Sequence, residues 1–122
     1  MARYHIVSFH GIEAVACPCG FSRRAFADLA DAPASVHVVR IEQNARVHYH
    51  QRLTEIYVIL EGHGHLELDG ERVAVEPMTV VLIRPGCRHR ALGEMTVLNI
   101  VIPPFDPADE FLEPQNSEEH DS

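Results

Sequence analysis

Short runs of alternating apolar and polar residues recur along this chain of 122 residues, and they set its expected fold class. "RYHIVSF", "EAVAC", "SVHVVRIE", "EIYVILE", "HLELD", "RVAVE", "TVVLI" and "TVLNIVI" are all brief and rich in β-branched residues, as strands are. Turn signals separate them at Cys19-Gly20, Gln43-Asn44, Asp69-Gly70, Pro85-Gly86 and Gly93-Glu94. "HLELDGERVAV" is the clearest hairpin, with Asp-Gly between alternating apolar positions. Only "SRRAFADLADA", residues 22–32, could hold a helical turn, which Pro33 would end. Turns at this regular spacing predict an all-β sandwich or barrel, and no repeat or linker divides it.

Strand parity then places the polar residues. In "EIYVILE", Glu55, Tyr57 and Ile59 share one face while Ile56, Val58 and Leu60 make the other. Glu55 thus opens a strand that is apolar on both sides, where a carboxylate is costly to bury without a partner. His48 and His50 share a face about 7 Å apart along their strand, close enough to straddle one ion. "QRLT" gives the chain room to reverse between them and Glu55. Further on, Pro85-Gly86 makes a stiff corner, and His89 follows it at the start of the next strand. Neutral imidazoles and a carboxylate are what a divalent metal prefers.

Charge and composition remove other chemistries. The net charge of -8 is uneven, because Asp106, Asp109, Glu110, Glu113, Glu118, Glu119 and Asp121 all follow Phe105 with no basic residue among them. Residues 1–104 are therefore close to neutral, and residues 105–122 read as an acidic C-terminal tail, disordered or a frayed helix. No basic face suggests nucleic acid. No apolar run is long enough to span a bilayer. His5 and His10 stand where a signal peptide would carry its apolar core, so a cytoplasmic location is expected. All ten basic residues are arginine, which excludes lysine Schiff bases and pyridoxal phosphate chemistry. There is no G-x-S-x-G elbow and no phosphate-binding glycine loop. Cys17 and Cys19 flank Pro18 and Cys87 stands apart; the odd count predicts packed thiols rather than a disulfide framework.

H-x-H-x(4)-E-x(6)-G, residues 48–62, resembles the first motif of the cupin superfamily, and "RPGCRH", residues 84–89, resembles the second. Arg84 stands where the family usually has its proline, with Pro85 next door. The resemblance implies a double-stranded β-helix (cupin or jelly-roll) barrel with its core over about residues 36–102, inside a domain of residues 1–104 whose residues 1–35 add N-terminal strands. It implies one divalent metal ion, held by His48, His50, Glu55 and His89, and a homodimer. Fe, Mn, Ni, Co and Zn all suit that ligand set. A small anionic or chelating metabolite is the implied ligand. Dioxygenase-type chemistry is the first expectation; a sugar-phosphate isomerase of the phosphomannose isomerase kind and a non-catalytic binding module are the alternatives.

Other polar residues are weighed against that set. Tyr57 shares the face of Glu55 and is a candidate for catalysis or substrate binding. Arg40 and Asn99 sit in apolar strands and are candidate substrate contacts within the barrel. His37 reads as a strand histidine, and Arg88 and Arg90 should point away from His89 by parity. Glu61, His63, His65 and Glu67 form a rival cluster, but Leu66 and Leu68 alternate with it, so that face is expected to be solvated.

Overall fold

The structure is a computed structural model that describes residues 2–42 and 44–114. Among these residues nine strands build one curled antiparallel sheet: β1 (Val15–Cys17), β2 (Gly20–Ala25), β3 (Ser35–Ile41), β4 (His48–Tyr49), β5 (Thr54–Leu68), β6 (Glu71–Val75), β7 (Val80–Ile83), β8 (His89–Ile102) and β9 (Phe111–Leu112). The order runs β1-β2-β3-β8-β4-β9, and β5 pairs with β6, β7 and β8. The described residues contain no α-helix, only two short 3-10 turns, so the all-β class expected from the alternation holds, and the sheet curls as the jelly-roll barrel that the resemblance implied. No helix among them is long and apolar enough to cross a membrane.

Two long strands replace four short ones. "EIYVILE" and "HLELD" run together as β5, and β8 passes straight through Gly93-Glu94, which the sequence had suggested as a turn. Close approach of backbone explains the continuity. A Cβ on Gly64 would collide with the Leu92 carbonyl and the Met95 side chain, so only glycine lets β5 lie against β8 there.

A register shift between Ile59 and Glu61 inserts Leu60 as an extra residue in β5. The bulge exchanges the parity of the strand. Before it the odd positions Glu55, Tyr57 and Ile59 are buried; after it Leu66 is buried while His63 and His65 are exposed. Ile59 and Leu66 meet Ile41, Met95 and Val97 in the core. Each such fully buried side chain stabilises the fold by about 1.5–3 kcal/mol.

Several expectations need correction. "RYHIVSF" forms no strand: a 3-10 turn occupies Phe9–Gly11, and Tyr4, Ile6 and Val7 are exposed. Residues 22–32 form no helical turn either, because residues 22–25 pair with β3 and Phe26 and Asp31 take φ of 67° and 64°. Cys17 and Cys19 are joined as a disulfide across the β1–β2 hairpin, whose Cα–Cα separation of 5.2 Å lies in the range a bridge needs. Cys87 is free.

The largest correction is at the C-terminus. Residues 105–112, expected as part of a solvated tail, are a strap built into the barrel. Asp109 is buried and accepts hydrogen bonds from the backbone N–H groups of Gln51, Arg52 and Leu53, and β9 pairs with β4. The acids at 118, 119 and 121, and Gln43 of one expected turn, lie outside the described residues.

Candidate metal centre

Sheet register brings the four predicted ligands to one end of the barrel. His48 on β4 pairs with His89 on β8, and Glu55 at the start of β5 lies between Ile83 and Val101. The His48 and His89 rings are 4.3 Å apart by their centroids, and His50 lies within 6 Å of both. His48, His50, Glu55 and His89 are all buried.

Backbone carbonyls orient two of the rings. His89 Nδ1 lies 2.9 Å from the Cys87 carbonyl and His48 Nδ1 lies 3.1 Å from the Arg46 carbonyl. A carbonyl only accepts, so each Nδ1 carries the proton and each Nε2 presents a lone pair. His89 Nε2 then faces Glu55 Oε1 at 3.0 Å, and neither atom has an aligned hydrogen-bond partner. Opposed lone pairs at that distance repel, and a cation between them, whether a proton or a metal ion, removes the conflict. His48, Glu55 and His89 are accordingly a group whose donor atoms could hold a metal ion.

His50 occupies a different position from the one parity suggested. Its Nδ1 is 3.4 Å from Glu55 Oε1, while its Nε2 is buried, unpartnered and 3.7 Å from Glu110 Oε2. His48, His50 and Glu110 form a second overlapping group. Glu110 was missed because it sits in an acidic run. The apolar pair Phe111–Leu112 inside that run was the available sign that the segment docks.

Electrostatics keep the site ready for a cation. Burial alone would raise the Glu55 carboxyl, but His89, His50 and a 2.7 Å hydrogen bond from Asn99 Nδ2 outweigh it and hold its pKa at about 2. Burial, and then the neighbouring His89, lowers His48 to about 4, so its ring is neutral at pH 7. His50 moves the other way: burial lowers it, but Glu110 and Glu55 prevail and raise it. The Tyr57 hydroxyl is pushed up by burial and by Glu55, so it remains a donor.

A cavity of about 30 Å³ adjoins the ligands, lined by His37, Tyr57, Asn99, Arg24, Phe105 and Glu110 among others. Tyr57 and Asn99 therefore line the cavity beside the candidate ligands. Arg40 does not. It follows inward-facing Val39 on β3, so parity turns it out to Thr96 and the exposed Glu94. Arg24, unremarked in the sequence, brings a guanidinium to the cavity wall, 4.4 Å over the Phe105 ring. His37 is a buried strand histidine that faces a neighbour, its Nε2 2.8 Å from Ser35 Oγ. In the rival cluster Glu61, His63 and His65 are exposed, and Glu67 pairs with Arg90 and Arg72.

The geometry agrees with what the chain is similar to. The family model for a cupin domain matches residues 35–101, more than half the chain, and the protein belongs to the cupin family. The crystal structure of a protein from Planctomyces limnophilus is similar at 46% identity and a TM-score of 0.85, covering 90% of this chain and 97% of that one. The nucleoside dehydratase Pac13, solved with uridine as the Streptomyces protein, has a TM-score of 0.81 at 20% identity, covering 95% and 96%. Ectoine synthase from P. lautus has a TM-score of 0.76 at 15% identity, covering 93% and 92%. At those last two identities the likeness is one of fold. Among curated proteins, none matches the chain significantly.

Proposed function

We propose that His48, His50, Glu55 and His89 hold one divalent ion, and that the protein is a metal-dependent enzyme acting on a small anionic or chelating metabolite. The observation that carries this reading is the buried group His48, Glu55 and His89, whose donor atoms lie close enough to share an ion, with Glu55 Oε1 and His89 Nε2 both without hydrogen-bond partners. Buried polar atoms are ordinarily satisfied, and a shared cation would satisfy both. Glu55 and Glu110 together balance a +2 ion, so it is Arg24, a further cation at the cavity wall, that favours an anion. When bound, the ion supplies a Lewis-acid centre, and with iron one competent for dioxygenase-type chemistry, our first reading. Around it Asn99 holds Glu55 in place and Tyr57 offers a protonated hydroxyl.

Proton transfer without oxygen is the second reading, covering isomerisation, epimerisation and dehydration. It is favoured by Glu110, a second carboxylate at the cavity that Glu55 does not need as a partner. Nucleosides join sugar phosphates and keto sugars in its screen because Pac13 has been solved with uridine in this fold.

Elemental analysis of protein purified without chelator or added metal is the first test. About one ion per chain is expected. His50→Ala should lose most of it and His65→Ala should keep it; the reverse pattern would sink the assignment. Oxygen uptake by Fe(II)-loaded protein, screened over small carboxylates, thiols, diketones and catechols and abolished by Glu55→Ala, would support the dioxygenase reading. Turnover in the isomerase and dehydratase screen alone would promote the second. Metal binding with no turnover in either would leave a small-molecule-binding module.

A further inference from the structure

One row of side chains crosses the barrel interior at a single level. Sheet register sets Arg24 of β2 beside His37 of β3, His37 beside Asn99 of β8, and Asn99 beside Tyr57 of β5. All four line the cavity next to the candidate ligands. The neighbouring row on the same face is Ser22, Val39, Val97 and Ile59, apolar but for its first member. A polar ladder thus runs beside an apolar floor, with a guanidinium at one end and an amide near the other. We infer that Arg24 and Asn99 form a two-point recognition element for a small hydroxy acid, Arg24 taking the carboxylate and Asn99 the hydroxyl; this rests on the reading above that the site takes a small anionic metabolite.

Asn99 supplies the observation that points to a ligand. It is 6% exposed, and its Nδ2 is committed to Glu55 Oε2. That bond fixes the orientation of the amide, because Oδ1 turned toward the carboxylate would repel it. Oδ1 is left buried without a partner, in a residue that lines the cavity. A carbonyl oxygen only accepts, so whatever completes it carries an O–H or N–H. Beside a divalent ion a neutral hydroxyl suits that position better than an ammonium.

Arg24 makes the other end. Its Nε donates to Ser22 Oγ at 3.3 Å and its guanidinium lies 4.4 Å over the Phe105 ring. Among the described residues it forms no ion pair, so its two terminal nitrogens are available to hold a carboxylate as a fork. One guanidinium on a cavity that Glu110 also lines suits a single negative charge better than a dianionic phosphate. His37 stands between the two ends and is engaged by Ser35. Two strand spacings, about 10 Å, separate the Arg24 and Asn99 backbones, so the acid and the hydroxyl sit a few carbons apart. The hydroxyl end then lies next to Glu55 and the acid end away from it. With Phe105 and Arg24 stacked at its wall the cavity measures about 30 Å³, room for a water or two, so the ligand is small and Phe105 moves to admit it. Phe105 lies on the irregular chain between β8 and the strap, outside the sheet ladder.

Ligand-observed NMR titration of the protein as purified tests this with β-hydroxypropionate and propionate, which differ by one hydroxyl. Wild-type protein should bind the hydroxy acid about tenfold more tightly, because propionate leaves Asn99 Oδ1 unpaired. Arg24→Met, which keeps an aliphatic stem on Phe105, and Arg24→Gln should each weaken both acids about tenfold or more and keep the preference between them. The comparison of ligands holds even where a variant fails to fold. Equal binding of the two acids by wild-type protein would overturn the inference, and so would unchanged affinities in both Arg24 variants. Tighter binding of hydroxyethyl phosphate than of β-hydroxypropionate would overturn the choice of a carboxylate. Metal content measured on the same samples separates this from the metal reading. Wild-type protein that carries its ion and binds neither acid refutes the ladder alone, whereas both preferences in protein that holds no ion would remove the metal and keep the ladder.

Discussion

Asn99 shows how a neutral side chain governs a charged one. Its Nδ2 donates to Glu55 Oε2 at 2.7 Å, leaving Oε1 to face the imidazoles. In Asn99→Ala the carboxylate loses that partner in a buried setting, which costs about 1.5–3 kcal/mol. Metal affinity should fall about 10–100-fold, the usual loss when a group that orients a ligand is removed. Urea unfolding of metal-free protein and competition with a chromophoric chelator would measure the two effects. Undiminished affinity would show that the histidines alone orient Glu55. At this scale the sequence was informative where parity could be applied. Glu55, Tyr57 and Asn99 share the barrel interior because alternation puts them there. Arg40 was misjudged for want of the same test, since it follows Val39 on β3.

Elements were harder to read than residues. Hairpin β5–β6 was legible because its turn chemistry is local, whereas the strand through His48 stops at Tyr49 and leaves His50 beyond it. The strand lengths were not legible, because Gly62 and Gly93 resemble turn residues in isolation and become sheet residues only when the opposite backbone is known. The bulge at Leu60 is likewise a property of the β5–β8 pair. Gly64→Ala should therefore cost about 1–3 kcal/mol through overpacking against Leu92 and Met95, whereas Gly70→Ala meets no neighbouring atom and is limited by its φ of 85°. The strap escaped detection because charge composition argued for a tail. Its anchor is a single buried acid. Asp109→Ala should cost about 3 kcal/mol by stripping three backbone donors of a charged partner, while Asp106→Ala, removing an exposed contact to Arg52 and the cap on the Ala108 N–H, should cost about 1 kcal/mol. Thermal unfolding of the variants would rank them, and equal losses would mean that the strap is held by β9 pairing instead.

For the whole molecule, the consequence of lining a barrel with imidazoles is acid lability. Burial, assisted by Arg24, lowers His37 to about 4, and burial with His89 lowers His48 to about 4. In the unfolded chain both titrate near 6.5. Between those values the unfolded state takes up protons that the folded state refuses, so stability falls as pH drops from about 6.5 toward 4. His50 has the opposite sign: its raised pKa gives a contribution that is complete below 6.5 and lost as pH rises through the folded value. That contribution is constant across the acid window and cannot mask the loss. Glu55, depressed to about 2, adds a further loss only below about 4.5. Metal-free protein should thus melt lower at pH 5 than at pH 7, with His37 alone responsible for about 2 kcal/mol. Replacing it as His37→Gln should flatten the dependence, whatever it does to stability at neutral pH. Melting curves of both proteins at fixed ionic strength from pH 4.5 to 7.5 would decide. If the two slopes coincide, His37 is protonated in the folded state and the barrel interior is not neutral in acid.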